Sequence, residues 1–321
     1  MTVALAARTH PLRGLTTPLP DAARRAAMAH VLDFDAPHTD TTTHISVVTV
    51  PAVRAAGGDA RAYLAGAGVM ARLGAMLGWG HCAAGRHATC TAGAPAAAVA
   101  AGLALGLDVT GLATAMALAV PAAGGGQEAF GTHGESLQVG FAAEAGVRAA
   151  RLARAGATAD PRVLEARLER VGGKPAADFP AAPAVPGGLA VKLFPCCSAM
   201  QRPIAALREV RGQVRGEVGA VTVSTPAGTV HPLIHDRPAT RLEGKWPGLP
   251  AHRPRRRRRV RTEPALPPGA PGRPLSEADL RAKAAACGPD VPALLDGLTW
   301  AGGAEVLRKH FPYIPYEGQE A

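Results

Sequence analysis

The groups in this sequence that could do chemistry are its histidines, its lysines, five cysteines and one glycine-rich turn. The 11 histidines titrate near neutrality and can both take and give a proton, while a lysine can bind a carboxylate and stabilise negative charge. Taken singly, a histidine such as His87 is more often structural than catalytic. Between Gly124 and Gly140 a glycine-rich stretch that includes Gly131 and Thr132 leads into a helix, whose free N–H groups and the Thr132 hydroxyl can receive an anion. The same residues serve equally well as a helix cap. Cys82, Cys90, Cys196, Cys197 and Cys287 are odd in number and lack CxxC spacing, which argues against a disulfide framework, a structural zinc site and an iron–sulfur cluster. Reduced, buried thiols are expected, the neighbours Cys196 and Cys197 included.

Positioning such groups falls to helices. From Asp59 to Leu77, Leu64, Val69, Leu73, Met76 and Leu77 recur at roughly helical spacing, and Gly78 and Gly80 end the run. A second helix is expected over Ala94–Leu105 with Gly106 just past its end, and Asp108 caps a third that runs to about Ala123. A fourth, from about Val139 to Ala155, carries small residues on one stripe and lets a neighbour approach closely. The proline-rich stretch from Phe179 to Gly188 cannot continue a helix and marks a domain boundary. Beyond it the pattern predicts a short apolar segment over Ala190–Phe194, a helix from about Pro203 to Arg211 and a strand near Val218–Ser224. Residues 247–272, rich in proline and arginine, are expected to be irregular. Ser276 and Asp279 form a capping-box start for a helix through Ala286, and Val291–Lys309 adds further helical pattern. The expectation is a mainly α protein: a helical domain over 1–188, a smaller α+β domain over 189–275, and more helices over 276–321.

Composition narrows the function classes. A hydrophobic content of 47% supports a large core, and with aromatics at only 4% that core must be close-packed alanine. The net charge of +10 suggests a nucleic-acid binder until Arg253, Arg255 to Arg259 and Arg261 are removed, which leaves 10 − 7 = +3. One basic run between prolines reads as a solvated loop, so no nucleic-acid partner is expected. The most apolar stretch, Ala94–Ala123, is broken at Gly106-Leu107-Asp108, so no membrane span is expected, and the N-terminus lacks the apolar region of a signal peptide. A cytoplasmic location follows.

Four segments carry a resemblance. HVLDFDAPHTDTTTH (His30 to His44) resembles an H-x-LDFDDTH stretch followed by a histidine. GRHATCTAGAPAAAVAAGLALGLD (Gly85 to Asp108) is similar to a histidine, glycine-rich turn and Ala-rich helix. EAFGTHGESLQVGFAAEAGVRAARLARAG (Glu128 to Gly156) looks like EAFGT-x-GK-x-LH-x-G-x-AA, and VKLFPCC (Val191 to Cys197) resembles K-x-[YF]-PCC. In this order they resemble the MmgE/PrpD family, which contains 2-methylcitrate dehydratase and cis-aconitate decarboxylase. The resemblance implies a large helical domain to which the C-terminal helices return, and a smaller lid, here partly deleted between Lys245 and Gly269. It also implies a cytoplasmic homodimer without cofactor or metal, acting as a lyase on a small hydroxy-polycarboxylate, with 2-methylcitrate dehydration in propionate metabolism as the default. The alternatives are a decarboxylase or epimerase of a related acid, or a degenerate paralogue.

The resemblance further assigns roles. His44 and His87 match acid/base positions, Lys192 a carboxylate-binding position, and Asp33 a residue that orients a histidine or contacts a substrate hydroxyl; Asp33 could equally cap a turn. Thr132 and Gly131 match a substrate-binding turn. Three positions depart from the pattern: Glu135 stands for lysine, Gln138 for histidine, and Ala36-Pro37 for Asp-Thr. A carboxylate in place of a cation is expected to repel a polyanionic substrate, which implies weak activity on 2-methylcitrate.

Overall fold

A computed structural model describes residues 2–176, 182–215, 217–218, 221–225, 231–247, 262 and 266–311. Among the described residues ten helices come before the proline- and arginine-rich region: α1 (Thr2–Ala6), α2 (Leu12–Leu15), α3 (Asp21–His30), α4 (Ile45–Ala55), α5 (Ala60–Ala83), α6 (Ala88–Ala104), α7 (Val109–Ala119), α8 (His133–Arg154), α9 (Arg162–Arg170) and α10 (Ser198–Arg211). Three follow it, α11 (Glu277–Ala286), α12 (Val291–Leu295) and α13 (Trp300–His310). Among the described residues the only β pairing is isolated bridges, His38 with Thr43 and Arg86 with Gly126 among them. The protein is mainly α.

At the centre lies α6, buried on nearly every face and packed against α4, α5, α7 and α8. Alanine makes this possible, because a helix covered in methyl groups loses no side-chain entropy on burial and lets its neighbours come close. Glycine carries the approach further at the α6–α8 crossing. A Cβ on Gly146 would fall 2.4 Å from the Ala97 Cβ and 2.6 Å from the Ala98 nitrogen. The core continues through Ile45, Val48, Met70, Leu73, Ala94, Ala97, Val139 and Ala142. The C-terminal helices close the N-terminal end, where Leu307 and Phe311 pack with Leu12, Met28 and Val31, and Ala284, Cys287 and Val291 pack with Leu5 and Phe34.

The local signals read from sequence have physical counterparts. Asp108 caps α7 by accepting from the Gly111 N–H, Gly106 follows α6 in a left-handed conformation, and Ser276 with Asp279 forms the capping box of α11. The expected stop at Gly78 is a break inside α5, at φ 62° and ψ −178°, after which the helix resumes to Ala83. The expected strand near Val218–Ser224 does not form among the described residues there, and Ala190–Phe194 builds no ladder either. Instead the Ala190 and Val191 N–H groups donate to the carbonyls of Pro37 and Gly269, so this segment is held between loops. The arginine run 253–261 and most of the irregular stretch 247–272 lie outside the described residues.

Gly146→Ala should destabilise the fold by roughly 2 kcal/mol although alanine is the better helix former, because the overpacking at α6 outweighs the propensity gain. Gly80→Ala, where an added methyl meets nothing within 4 Å, should be neutral or stabilising by up to about 1 kcal/mol. Urea unfolding of both variants checks the pair; equal effects would contradict close packing as the role of Gly146.

Candidate active site

The site begins where α3 ends. His30 is the last residue of that helix, and the five residues after it turn sharply enough to place Asp33 at φ 46°, a left-handed conformation that a side chain adopts at a cost of about 1 kcal/mol. The turn wraps an ammonium: Lys192 Nζ donates to the Asp33 carbonyl at 2.9 Å and to its Oδ1 at 2.5 Å. Both side chains are buried, at 1% and 0% exposure. Burial alone would lower the Lys192 pKa, but the charges of Asp33 and Asp35 more than offset it and raise the value. Lys283, from α11, donates to the carbonyls of Phe34 and Lys192 at 3.0 and 2.8 Å and lies 4.1 Å over the Phe34 ring. Its burial brings its pKa down to about 8.

Two residues further along, Asp35 is held between two imidazoles. His44 Nδ1 donates to Oδ2 at 2.6 Å, and His30 Nδ1 lies 3.1 Å from both oxygens. Burial opposes the ionised form of Asp35, yet the charges and hydrogen bonds of His44 and His30 hold it well below the usual carboxylate range. A carboxylate can only accept, so the protons sit on both Nδ1 atoms. His44 is the N-cap residue of α4, placed by the tight turn in which His38 bridges Thr43, and its N–H donates to the Thr89 hydroxyl at 3.0 Å. Its ring meets that of His30 edge-on at 5.0 Å.

His87 is the N-cap residue of α6 and stands 6.0 Å from the His30 ring. Gln138 Oε1 accepts from the Gly126 N–H, which turns the amide nitrogen to donate to His87 Nδ1 at 3.1 Å. The ring proton of neutral His87 is therefore on Nε2. Burial, and then the neighbouring imidazoles of His30 and His44, hold the His87 pKa well below the ordinary value, so the ring is neutral. His30 goes the other way: burial opposes its charge, but Asp35, with Glu135 and Asp33, raises its pKa. The pKa values of two neighbouring imidazoles are thus moved in opposite directions, His30 up and His87 down.

The structure brings Asp33, His44, His87 and Lys192 into one buried cluster although they span 33 to 192 in the chain. It places Thr132 and Gly131 differently. The Thr132 hydroxyl caps α8, accepting from the Gly134 N–H at 3.1 Å and donating to the Ala129 carbonyl at 2.7 Å. Gly131, at φ 81°, gives its N–H to Glu135 Oε2 at 3.2 Å. The expectation that Glu135 repels substrate needs correction, because its carboxylate is fully buried and already paired. Lys245 Nζ donates to Oε1 at 2.8 Å and Trp246 Nε1 to Oε2 at 3.0 Å.

Sequence reasoning passed over His30, Asp35, Lys245, Trp246 and Lys283. His30 and Asp35 lay in the quoted HVLDFD segment, where the run His-x-x-Asp-x-Asp was itself the signal. The lysines carried none, since each meets its partner only through the tertiary fold. Potential metal donors are also present: one ligand atom from each of His30, Asp33, Asp35 and His44 lies within 4.8 Å of the others. There an ion would compete with the Lys192 ammonium for Asp33. The cysteines are poor nucleophiles, since burial pushes the Cys196 thiol up to about 11 and raises those of Cys90 and Cys197 as well.

With this geometry in view, the chain matches the family model for the MmgE/PrpD N-terminal domain over residues 6–169, just over half its length. It belongs to the MmgE/PrpD family. A search of the curated proteins found no match. No helix among the described residues is long and apolar enough to cross a membrane.

Lys192→Met should cost on the order of 3–5 kcal/mol of stability by leaving Asp33 buried and unpaired, and adding Asp33→Asn should recover much of that loss. Urea unfolding of the two single variants and the double variant reads this; additive losses would show that the pair is not coupled. The depressed pKa of His87 predicts a pH effect of definite sign. As pH falls below about 6.5 the unfolded chain takes up a proton that native His87 refuses, so stability drops. His30, whose pKa is raised, stabilises most below that pH and loses its contribution as pH rises through its folded value. His87→Gln should flatten the acid-side loss between about pH 6.5 and 5, measured by thermal unfolding across pH.

Proposed function

We propose that this chain is a lyase that eliminates water from a small hydroxy-polycarboxylate by acid/base chemistry carried on its own side chains, with 2-methylcitrate as the reference substrate. The observation that supports it most is the Asp35 carboxylate shared by His44 and His30, beside a neutral His87 and the Lys192 ammonium. Family membership supports a lyase-like activity at the coarser level.

In this reading His44 is the base. Asp35 accepts its Nδ1 proton and fixes the ring, which leaves Nε2 to take the proton next to a substrate carboxylate. The electron pair released forms the carbon–carbon double bond as the hydroxyl departs. His30, whose pKa its carboxylate neighbours raise, gives that hydroxyl its proton, so water leaves. His87 presents its Nε2–H to the developing negative charge, and Lys192 keeps its third N–H for a substrate carboxylate after two are used on Asp33.

The test is turnover of a panel of hydroxy-di- and tricarboxylates by the purified chain, followed by the absorbance of the new double bond. His44→Asn and Asp35→Asn should each lower kcat by about 100-fold or more. Turnover of 2-methylcitrate itself is expected well below about 1 s⁻¹. A folded chain that turns over none of the acids would refute the lyase reading in favour of a non-catalytic paralogue.

A further inference from the structure

The carboxylate of Glu135 sits in surroundings that an anion-binding site would have. It is buried at 0% exposure in the first turn of α8, and donors from three parts of the chain converge on it. They are the Gly131 N–H at 3.2 Å, the Trp246 indole N–H at 3.0 Å and the Lys245 ammonium at 2.8 Å. His30 Nε2 lies 3.9 Å from Oε1, almost wholly buried, with no hydrogen-bond partner of its own. A backbone N–H at a helix start, a cation, an indole donor and an unpartnered imidazole are the groups that recognise a carboxylate. Here the carboxylate is the chain's own, tethered by two methylenes.

We infer that Glu135 is a built-in carboxylate filling an anion site beside His30, so that the substrate taken at this cluster carries at most two carboxylates. The second half of this statement rests on the lyase reading above. The filled place carries it. Lys245 and Trp246 already give N–H groups to Glu135. Of the three carboxylates of the reference acid, one would meet the tethered carboxylate where it needs these donors, which leaves places for two.

Glu135→Gly deletes the tethered group with both methylenes, and free propionate reproduces the lost atoms. The variant should melt below wild type and recover with a saturable rise in Tm as propionate is added. Propionamide, of the same shape without the charge, should do nothing, nor should sodium chloride at matched ionic strength. Wild type should not respond to propionate beyond the salt control, and Lys245→Met placed in the variant should abolish the response. A folded variant that responds to propionate no more than wild type, or equally to propionamide, overturns the inference. If the variant is recovered only as aggregate, its soluble yield on refolding is read instead: a higher yield with propionate than with propionamide is expected, and equal yields overturn it. In the turnover panel, Glu135→Gly should move the kcat/KM ratio of tricarboxylate over dicarboxylate upward by about tenfold or more; an unchanged ratio overturns the substrate-class step. Propionate binding without turnover of any acid would leave the anion site standing and remove the lyase reading. Turnover without propionate binding would do the reverse.

Discussion

Two carboxylates buried on one turn constrain much of this structure. Asp33 and Asp35 leave solvent together as the chain turns out of α3, and an unpaired carboxylate in the interior costs several kcal/mol. Each must therefore find a cation or strong donors. Asp33 takes Lys192 from a segment more than 150 residues on, and Asp35 takes the two imidazoles of His30 and His44. These pairings fix the positions of α3, the start of α4 and the Ala190–Phe194 segment relative to one another. Lys283 adds a further tie, because its ammonium bridges the carbonyls on both sides of that junction.

Such a cluster needs a scaffold that does not give. The alanine- and glycine-lined helices supply it: short side chains have few rotamers to exchange, and backbones in near contact leave little room for sliding. His44 and His87 both stand at N-cap positions, where the main chain is anchored by the helix that follows while the side chain is left unused by the cap. The rings are thus placed by backbone and aimed by neighbours, His44 by Asp35 and His87 by Gln138. The same low-dielectric interior that makes the pairings strong moves the pKa of His30 up and that of His87 down.

Glu135 shows how a local reading of charge can mislead. Set against a polyanion in isolation it is repulsive, yet within the fold it is half of a neutral pair, joined to Lys245 and Trp246 from the region beyond α10. Trp246 also stacks on Phe130, 4.2 Å between ring centroids, and Phe130 meets His87 edge-on at 5.1 Å. The link therefore runs from Lys245 and Trp246 to the wall of the histidine cluster.

What the sequence by itself determined was whatever depends on neighbours along the chain. The helical periodicities, the caps at Asp108 and Ser276 and the close-packing stripe around Gly146 were all legible, because propensity and capping are local. The tertiary structure alone decided the rest. It broke α5 at Gly78 without ending it and left the Val218–Ser224 stretch without a strand partner among the described residues. It also gave Asp35 two histidines at once and gave Glu135 its lysine. Charge pairing is a matter of distance in space, and the sequence separation of 110 between Glu135 and Lys245 carries no signal of the 2.8 Å that separates their charged atoms once the chain has folded.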